Sequence, residues 1–173
     1  MEHLKTKIRH VPDFPKPGIL FYDITTLLRD PVGLGDLLDG LSAPFRDQQL
    51  DLIVGIESRG FILGAAMADR LGTGFIPMRK PGKLPGSTLS QSYELEYGTD
   101  TLEMHDDAIE PGQRVLVVDD LLATGGTARA AIDLLKQTGA EVTGVAFLVE
   151  LTFLKGRDRL GDTPVFVGLT YDD

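Results

Sequence analysis

The sequence of 173 residues contains no cysteine and no tryptophan. Without cysteine, the chain has no disulfides, no thiolate zinc sites and no cysteine nucleophile, which is compatible with a reducing compartment. The three histidines (His3, His10 and His105) lack metal-ligand spacing, so we interpret them as surface or packing residues. No apolar run approaches the roughly 18 residues of a membrane span, and Met1–His10 lacks the apolar core of a signal peptide. We therefore expect a soluble, cytoplasmic protein with no membrane partner.

Basic residues are also scarce, because 17 Lys and Arg stand against 26 Asp and Glu, a formal net charge of −9. This balance argues against general nucleic-acid binding, which requires a basic face, and we expect no nucleic-acid partner. It also makes any local cluster of cations informative. The length suits one domain, and no repeat or linker divides residues 1–173.

Short apolar runs alternate with helical patterns along most of the chain. The predicted strands are Asp51–Ile56, Phe75–Met78, Arg114–Val118, Val142–Glu150 and Val165–Leu169. Helical patterns run from Leu34 to Phe45, Phe61 to Leu71 and Thr127 to Gln137. This alternation predicts an α/β fold with a mainly parallel central sheet flanked by helices. In such sheets, ligands bind beyond the carboxyl ends of the strands.

Two segments interrupt this alternation. Phe14–Gly18 (FPKPG) predicts a rigid turn. Residues 80–90 are polar and rich in proline and glycine, which predicts a mobile loop. Polar and apolar residues then alternate on both sides of Gly98, as they do in a β-hairpin.

The most informative string is VVDDLLATGGT, in which Asp119 and Asp120 follow a buried strand and a glycine-containing loop opens a helix. The loop residues are Ala123, Thr124, Gly125, Gly126 and Thr127. The free N–H groups of a helix N-terminus suit a phosphate, and the glycines let an anion approach the backbone. The loop is not a Walker motif, since GxxxxGK[ST] is absent.

The two acids would repel a bare phosphate, but they suit sugar hydroxyls or a hydrated Mg²⁺ ion. A phosphorylated ribose therefore fits this string. The alternative is a strand-to-helix turn with solvent-exposed capping acids.

The string VVDDLLATGGT resembles the 5-phosphoribosyl 1-pyrophosphate (PRPP) motif of the type I phosphoribosyltransferases. With FPKPGILFYDIT, GIESRGF, RKPGKLPG and LEYG in order, the chain resembles the adenine-specific members of that family from about Ile8 to Leu154. The resemblance implies a type I fold with a small N-terminal hood (residues 1–30) and a flexible catalytic loop and hairpin (residues 79–105). It also implies the reaction adenine + PRPP ⇌ AMP + pyrophosphate, with Mg²⁺ as cofactor, in a homodimer.

The resemblance assigns the 5′-phosphate to residues 123–127 and the ribose hydroxyls to Asp119 and Asp120. The same acids influence Mg²⁺, which substrate and water mainly hold, and stabilise positive charge at the anomeric carbon. The pyrophosphate residues implied are Glu57, Ser58, Arg59, Arg79, Lys80 and Lys83. A surface ion pair between Arg59 and Glu57, or a solvated basic loop, are the alternatives.

For the base, the resemblance implies that Leu20, Phe21 and Tyr22 cover adenine, although some relatives have Arg at position 22 and core packing explains the first two as well. Glu96 is implied as the loop carboxylate that accepts or relays the adenine proton, with Glu94 and Glu103 as alternatives. Two other functions stay open: a phosphoribosyltransferase for 6-oxopurines, and a noncatalytic module that senses PRPP or a nucleotide.

Overall fold

The computed structural model describes residues 1–94 and 98–172. The strands in these ranges are β1 (Arg9–Pro12), β2 (Leu20–Asp23), β3 (Leu52–Ile56), β4 (Gly74–Met78), β5 (Thr88–Glu94), β6 (Thr99–His105), β7 (Arg114–Leu122), β8 (Glu141–Leu151) and β9 (Val165–Tyr171). The α-helices are α1 (Thr25–Leu28), α2 (Pro31–Ser42), α3 (Arg59–Leu71) and α4 (Gly126–Gln137). Short 3-10 helices span Glu2–Lys7, Ala43–Phe45, Thr152–Leu154 and Gly156–Arg159.

Five strands form a parallel sheet in the order β4-β3-β7-β8-β9, which confirms the predicted α/β architecture. Side chains alternate between the two faces of β7: Leu116 and Val118 join the core beneath α2 and α3, whereas Val115 and Val117 join the core beneath α4. Both faces of the sheet are therefore covered, as parallel sheets require. Among the described residues, no helix has the length and apolar character needed to cross a membrane.

The structure extends β7 beyond the prediction, which ended this strand at Val118. Its register with β8 continues through Asp119 opposite Phe147 to Leu122 opposite Glu150. Charged residues normally mark the end of a buried strand, but the long neighbouring β8 supplies backbone partners for three more residues, Asp119, Leu121 and Leu122. The acid pair consequently lies within a sheet strand and not in the loop after it.

The N-terminal segment forms its own two-stranded antiparallel sheet, in which β1 pairs with β2. The predicted FPKPG turn joins these strands. Asp23 connects the sheet to α1, because its carboxylate accepts hydrogen bonds from the Thr25 backbone N–H at 2.9 Å and from Arg9 Nη2 at 2.5 Å. Hydrogen bonds from Thr25 and Arg9 lower the pKa of Asp23 to about 2.

The predicted hairpin is also present: β5 pairs with β6 in antiparallel register from Thr88 opposite His105 to Glu94 opposite Thr99. The irregular loop is shorter than the sequence suggested, because residues 88–90 belong to β5. Backbone hydrogen bonds between Arg79 and Glu103 attach the hairpin to the end of β4. The hairpin is thereby held near the carboxyl ends of the central strands.

Two helical glycines lead to a prediction about close packing. A methyl group at Gly60, in the first turn of α3, would lie 2.8 Å from the carbonyl oxygen of Val118, a fixed backbone atom of β7. A methyl group at Gly35, in α2, would meet nothing within 4 Å. Because alanine favours helix, Gly35→Ala should stabilise the protein by about 0.5–1 kcal/mol, whereas Gly60→Ala should destabilise it by about 1–3 kcal/mol.

Urea unfolding of both variants tests this prediction. Equal or same-sign changes in the free energy of unfolding would contradict the close approach of α3 to β7.

Candidate active site

The carboxyl ends of β3 and β7 bring two predicted site segments together. These strands are parallel neighbours, with Gly55 opposite Val118. Glu57, Ser58 and Arg59 follow β3, and Arg59 forms an ion pair with Asp120, with Nε 2.7 Å from Oδ2. Because Gly60 has no side chain, the start of α3 rests directly against the β7 backbone. The proposed pyrophosphate segment and the acid pair thus share one sheet edge.

Residues 123–127 form a small cavity at the N-terminus of α4. The cavity has a volume of about 70 Å³, with Asp119 at its edge and Phe147 among its lining residues. Gly125 has φ +80°, and a methyl group there would overlap the carbonyl oxygen of Gly156. The fold therefore requires glycine at this position to shape the loop, and the N–H groups that open α4, which have no partner within the helix, suit an anion.

The acid pair lies in a low-dielectric setting with little compensating charge. Asp120 is only 7% exposed, and Asp119 Oδ1 accepts a hydrogen bond from the Asp120 N–H at 2.9 Å. Burial, and then the charge of Asp120, raises the pKa of Asp119. Burial also raises the pKa of Asp120, although the charge of Arg59 opposes this effect. A ligand that offers hydroxyl donors or a cation would favour the ionised form.

The same residues fit a magnesium ion only in part. Within residues 1–94 and 98–172, no three Asp, Glu, His or Cys side chains are grouped in a way that could hold a metal. Asp119 and Asp120 nevertheless present adjacent hard oxygen ligands with one nearby cation. This donor set suits Mg²⁺ that keeps several waters and binds mostly to substrate oxygens.

Glu57 serves as the counter-ion of the basic segment. Its carboxylate accepts hydrogen bonds from Arg79 Nη2 at 3.1 Å, from Arg79 Nε at 3.2 Å and from the Lys80 backbone N–H at 2.9 Å. The bond from Arg79 is the main reason that the pKa of Glu57 is lowered. Arg59 pairs with Asp120 and not with Glu57, so the alternative of an isolated Arg59–Glu57 surface pair does not describe the structure.

The other cations differ in their surroundings. The Lys80 ammonium donates to the carboxylate of Asp100 and to the Tyr93 hydroxyl, the latter at 2.8 Å. Burial lowers the pKa of Lys80, but these two bonds outweigh it and the net shift is upward. Lys83 is exposed, and its carbonyl oxygen accepts a hydrogen bond from Arg79 Nη1 at 3.2 Å.

Successive side chains of β2 lie on opposite faces of the strand, which separates the three residues expected to cover the base. Leu20 and Tyr22 share one face and line a cavity of about 490 Å³, a size typical of small-molecule sites. Phe21 lies on the other face, where the Arg59 guanidinium carbon is 5.4 Å from its ring centroid. Tyr22 is buried and stacks on Tyr171, with ring centroids 4.0 Å apart.

Sequence reasoning missed the opposite wall of this cavity. Leu151, at the end of β8, and Phe153 and Leu154, just after it, line the cavity together with Leu20 and Tyr22. The available signal was a run of apolar residues just beyond the carboxyl end of a strand, with Phe153 49% exposed. Phe153 and Leu154 lie with Leu20 and Ile19 in one exposed apolar patch, and such a patch is typical of a ligand-binding surface.

Arg159 is a second residue that the sequence did not reveal. Its Nη1 atom lies 3.4 Å from where a methyl group on Gly126 would be. Arg159 is therefore next to the loop of residues 123–127, called the phosphate loop below for the ligand that we propose there. Glu96, the predicted proton acceptor, lies outside the described residues.

The three histidines form no cluster. His3 Nε2 lies 3.2 Å from Asp36 Oδ2, and His105 Nε2 lies 2.8 Å from the Pro85 carbonyl oxygen. His10 packs edge-on against Tyr22. These surface and packing contacts agree with the interpretation from the sequence.

Comparison with known proteins bears directly on this arrangement. A family model described as a phosphoribosyl transferase domain matches residues 34–167. The adenine phosphoribosyltransferase of Koribacter versatilis is 60% identical over 171 residues, which cover 99% of this chain and 94% of the relative. The chain belongs to the adenine phosphoribosyltransferase family.

Solved structures of this family have the same fold. The adenine phosphoribosyltransferase of Thermoanaerobacter pseudethanolicus is 50% identical, with a TM-score of 0.96 over 98% of this chain and 99% of that one. The enzyme of Saccharomyces cerevisiae, solved with adenine and an imino-altritol bisphosphate, is 44% identical, with a TM-score of 0.92 over 97% of both chains. The five-stranded sheet flanked by helices is therefore a type I phosphoribosyltransferase fold.

The raised pKa of Asp119 leads to a stability prediction. Because its pKa is higher in the folded state than in the unfolded chain, ionisation opposes folding, and this cost appears as the pH rises above about 4. Asp119→Asn removes the charge and keeps an oxygen for the Asp120 N–H. We expect a higher Tm for the unliganded variant at pH 7, by about 2–4 °C for each kcal/mol added to the free energy of unfolding. We also expect the variant to lose activity.

The difference in Tm should shrink as the pH falls toward 4. A lower Tm for Asp119→Asn at pH 7 would show that the carboxylate stabilises the fold. Asp119→Ala is the matched variant, since it removes the hydrogen-bond acceptor as well as the charge.

Proposed function

We propose that the chain transfers the 5-phosphoribosyl group of PRPP to N9 of adenine, forming AMP and pyrophosphate. The observation that carries this function is the shared sheet edge at which the acid pair lies between an anion cavity and a cation-rich segment. A substrate with a phosphate at one end, ribose hydroxyls in the middle and a pyrophosphate at the other end matches that order of charges. The relatives named as adenine phosphoribosyltransferases support the same conclusion.

The phosphate loop and the acid pair divide the ribose phosphate between them. Backbone N–H groups of residues 123–127 and the hydroxyls of Thr124 and Thr127 bind the 5′-phosphate. Asp119 and Asp120 accept hydrogen bonds from the ribose hydroxyls, which stabilises their ionised forms. The orientation of the sugar then follows from two fixed elements, β7 and α4.

The pyrophosphate binds beside the acid pair, on the side where Arg59 meets Asp120. Arg59, Arg79, Lys80 and Lys83 supply positive charge, and the exposed Ser58 at the start of α3 supplies a hydroxyl. Glu57 holds Arg79 in place and does not itself bind an anion. Mg²⁺, held mainly by substrate oxygens and water beside Asp119 and Asp120, supplies positive charge to the pyrophosphate when bound.

Adenine binds in the larger cavity between β2 and the segment after β8. Leu20 and Leu154 line this cavity and provide apolar contact to the base. The yeast relative was solved with adenine, which supports a base site in this fold. Phe21 belongs to the other face of β2 and contacts Arg59, so its role is to support the pyrophosphate side.

The reaction breaks the bond between the anomeric carbon and pyrophosphate and forms a bond from that carbon to N9. Positive charge develops on the sugar during this exchange, and the nearby carboxylates of Asp119 and Asp120 stabilise it. Adenine loses its N9 proton, and Glu96 is proposed to accept or relay it near N7. The assembly as a homodimer and the cytoplasmic location stay predictions, as does the expectation from the family resemblance that the segment with Arg79, Lys80 and Lys83 reaches pyrophosphate partly across the dimer interface.

One assay separates the three candidate functions. Purified protein with Mg²⁺ and PRPP is offered adenine, hypoxanthine, guanine and xanthine in turn, and nucleotide and pyrophosphate are measured. We expect AMP from adenine alone, with pyrophosphate in equal amount. Nucleotide from a 6-oxopurine, or PRPP binding without turnover, would contradict the proposal.

Glu96 is tested through the separation of turnover from binding. Glu96→Ala should lower kcat by about 10²-fold, the usual contribution of a proton-transfer group, and change the Kd for PRPP little. Glu94→Ala is the matched control, since Glu94 is exposed at the end of β5. An unchanged kcat in Glu96→Ala would remove this residue from proton transfer.

A further inference from the structure

Three cations proposed to bind pyrophosphate already have carboxylate partners within the described chain. Arg59 is paired with Asp120, Arg79 with Glu57 and Lys80 with Asp100. Two of these acids belong to the strings that resemble the family motifs. Asp100 does not, and neither the motifs nor the comparisons give it a role.

Asp100 lies at the start of the hairpin strand β6 and reaches across to the end of β4. Its Oδ2 atom accepts from the Lys80 ammonium and from the Tyr93 hydroxyl, the latter at 3.2 Å. Its Oδ1 atom accepts from the Thr101 N–H at 2.8 Å, which fixes the carboxylate against its own strand. Burial raises the pKa of Asp100, but its bonds to Lys80 and Thr101 reverse this and the net shift is downward.

Tyr93 extends this cluster to the phosphate loop. Its hydroxyl accepts from Lys80 at 2.8 Å and lies 3.4 Å from Thr127 Oγ1. The Lys80 ammonium also lies 5.4 Å from the Tyr93 ring centroid. The cluster therefore holds Lys80 near the phosphate loop, in a fixed position, before any anion binds.

The cluster is open enough for a ligand to reach. The side chain of Lys80 is 35% exposed and that of Asp100 is 29% exposed. An incoming pyrophosphate oxygen and the Asp100 carboxylate are both anionic acceptors for the same ammonium group. Two negative groups that contact the same ammonium group also repel each other.

We propose that Asp100 competes with pyrophosphate for Lys80, so that it weakens pyrophosphate binding and speeds pyrophosphate release. This inference rests on the proposed function, because it takes Lys80 as a pyrophosphate ligand. Asp100 acts through Lys80 and is a positioning residue that sets affinity. Tyr93 holds the ammonium without adding negative charge, so it does not compete.

Asp100→Asn tests the proposal, because asparagine keeps an oxygen for the Thr101 N–H and removes the charge. The Kd of magnesium pyrophosphate, measured by calorimetry, should fall about two- to fivefold, the range expected for a partly exposed ion pair. The Kd of ribose 5-phosphate should change by a smaller factor, because the cluster meets its proposed site only through the Tyr93 hydroxyl next to Thr127. An unchanged or higher Kd for pyrophosphate would overturn the proposal.

Two controls separate this effect from general charge and from misfolding. Asp107→Asn makes the same change of net charge at an exposed site beyond β6 and should leave the Kd unchanged. If it tightened binding as much as Asp100→Asn does, long-range charge would be the cause and the proposal would fail. Asp100→Ala is the second variant, and it should tighten binding in the same direction.

A double-mutant cycle shows whether Asp100 acts through Lys80. In a Lys80→Gln background, Asp100→Asn should no longer tighten pyrophosphate binding; tightening that persists would overturn the proposal. Failure of the proposed function is distinguishable: a wild-type protein that binds no magnesium pyrophosphate at all contradicts both ideas. Wild-type binding with no effect of Asp100→Asn contradicts the competition alone.

Discussion

The architecture of the site depends on two adjacent carboxylates near the end of a central parallel strand, of which Asp120 is buried and paired with Arg59. Asp119 and Asp120 remain in β7 because β8 pairs with that strand along its full length. Arg59 is placed against Asp120 by the close contact between α3 and the β7 backbone at Gly60. Arg59 balances one of the two carboxylates, and the remaining negative charge suits hydroxyl donors and a hydrated cation. The same charge lowers the stability of the unliganded protein.

An acidic chain that binds a highly anionic substrate must concentrate its cations. With a net charge of −9, the protein places Arg79, Lys80 and Lys83 within five residues, next to a strand end. Pairing two of these cations with Glu57 and Asp100 limits their mutual repulsion before substrate arrives. If pyrophosphate binds these cations, as we propose, it must replace Glu57 and Asp100 as their partner.

Periodicity and spacing predicted most of the fold. Apolar runs are enough to identify buried strands, and the glycine loop before a helix led to the proposal of an anion site, which stays a prediction. What the sequence could not show depends on pairing and on which face a side chain occupies. The extension of β7 needed β8 as a partner, and the separation of Phe21 from Leu20 and Tyr22 needed the register of β2. Contacts between distant segments, such as Lys80 with Asp100, leave no local signal.

The most direct test of the account is the position of a bound ribose phosphate. A crystal structure of the protein with Mg²⁺ and PRPP should show the 5′-phosphate on the backbone N–H groups of residues 124–127. It should also show the ribose hydroxyls within hydrogen-bond distance of Asp119 and Asp120. A 5′-phosphate bound elsewhere, or both carboxylates directed away from the sugar, would contradict the central claim.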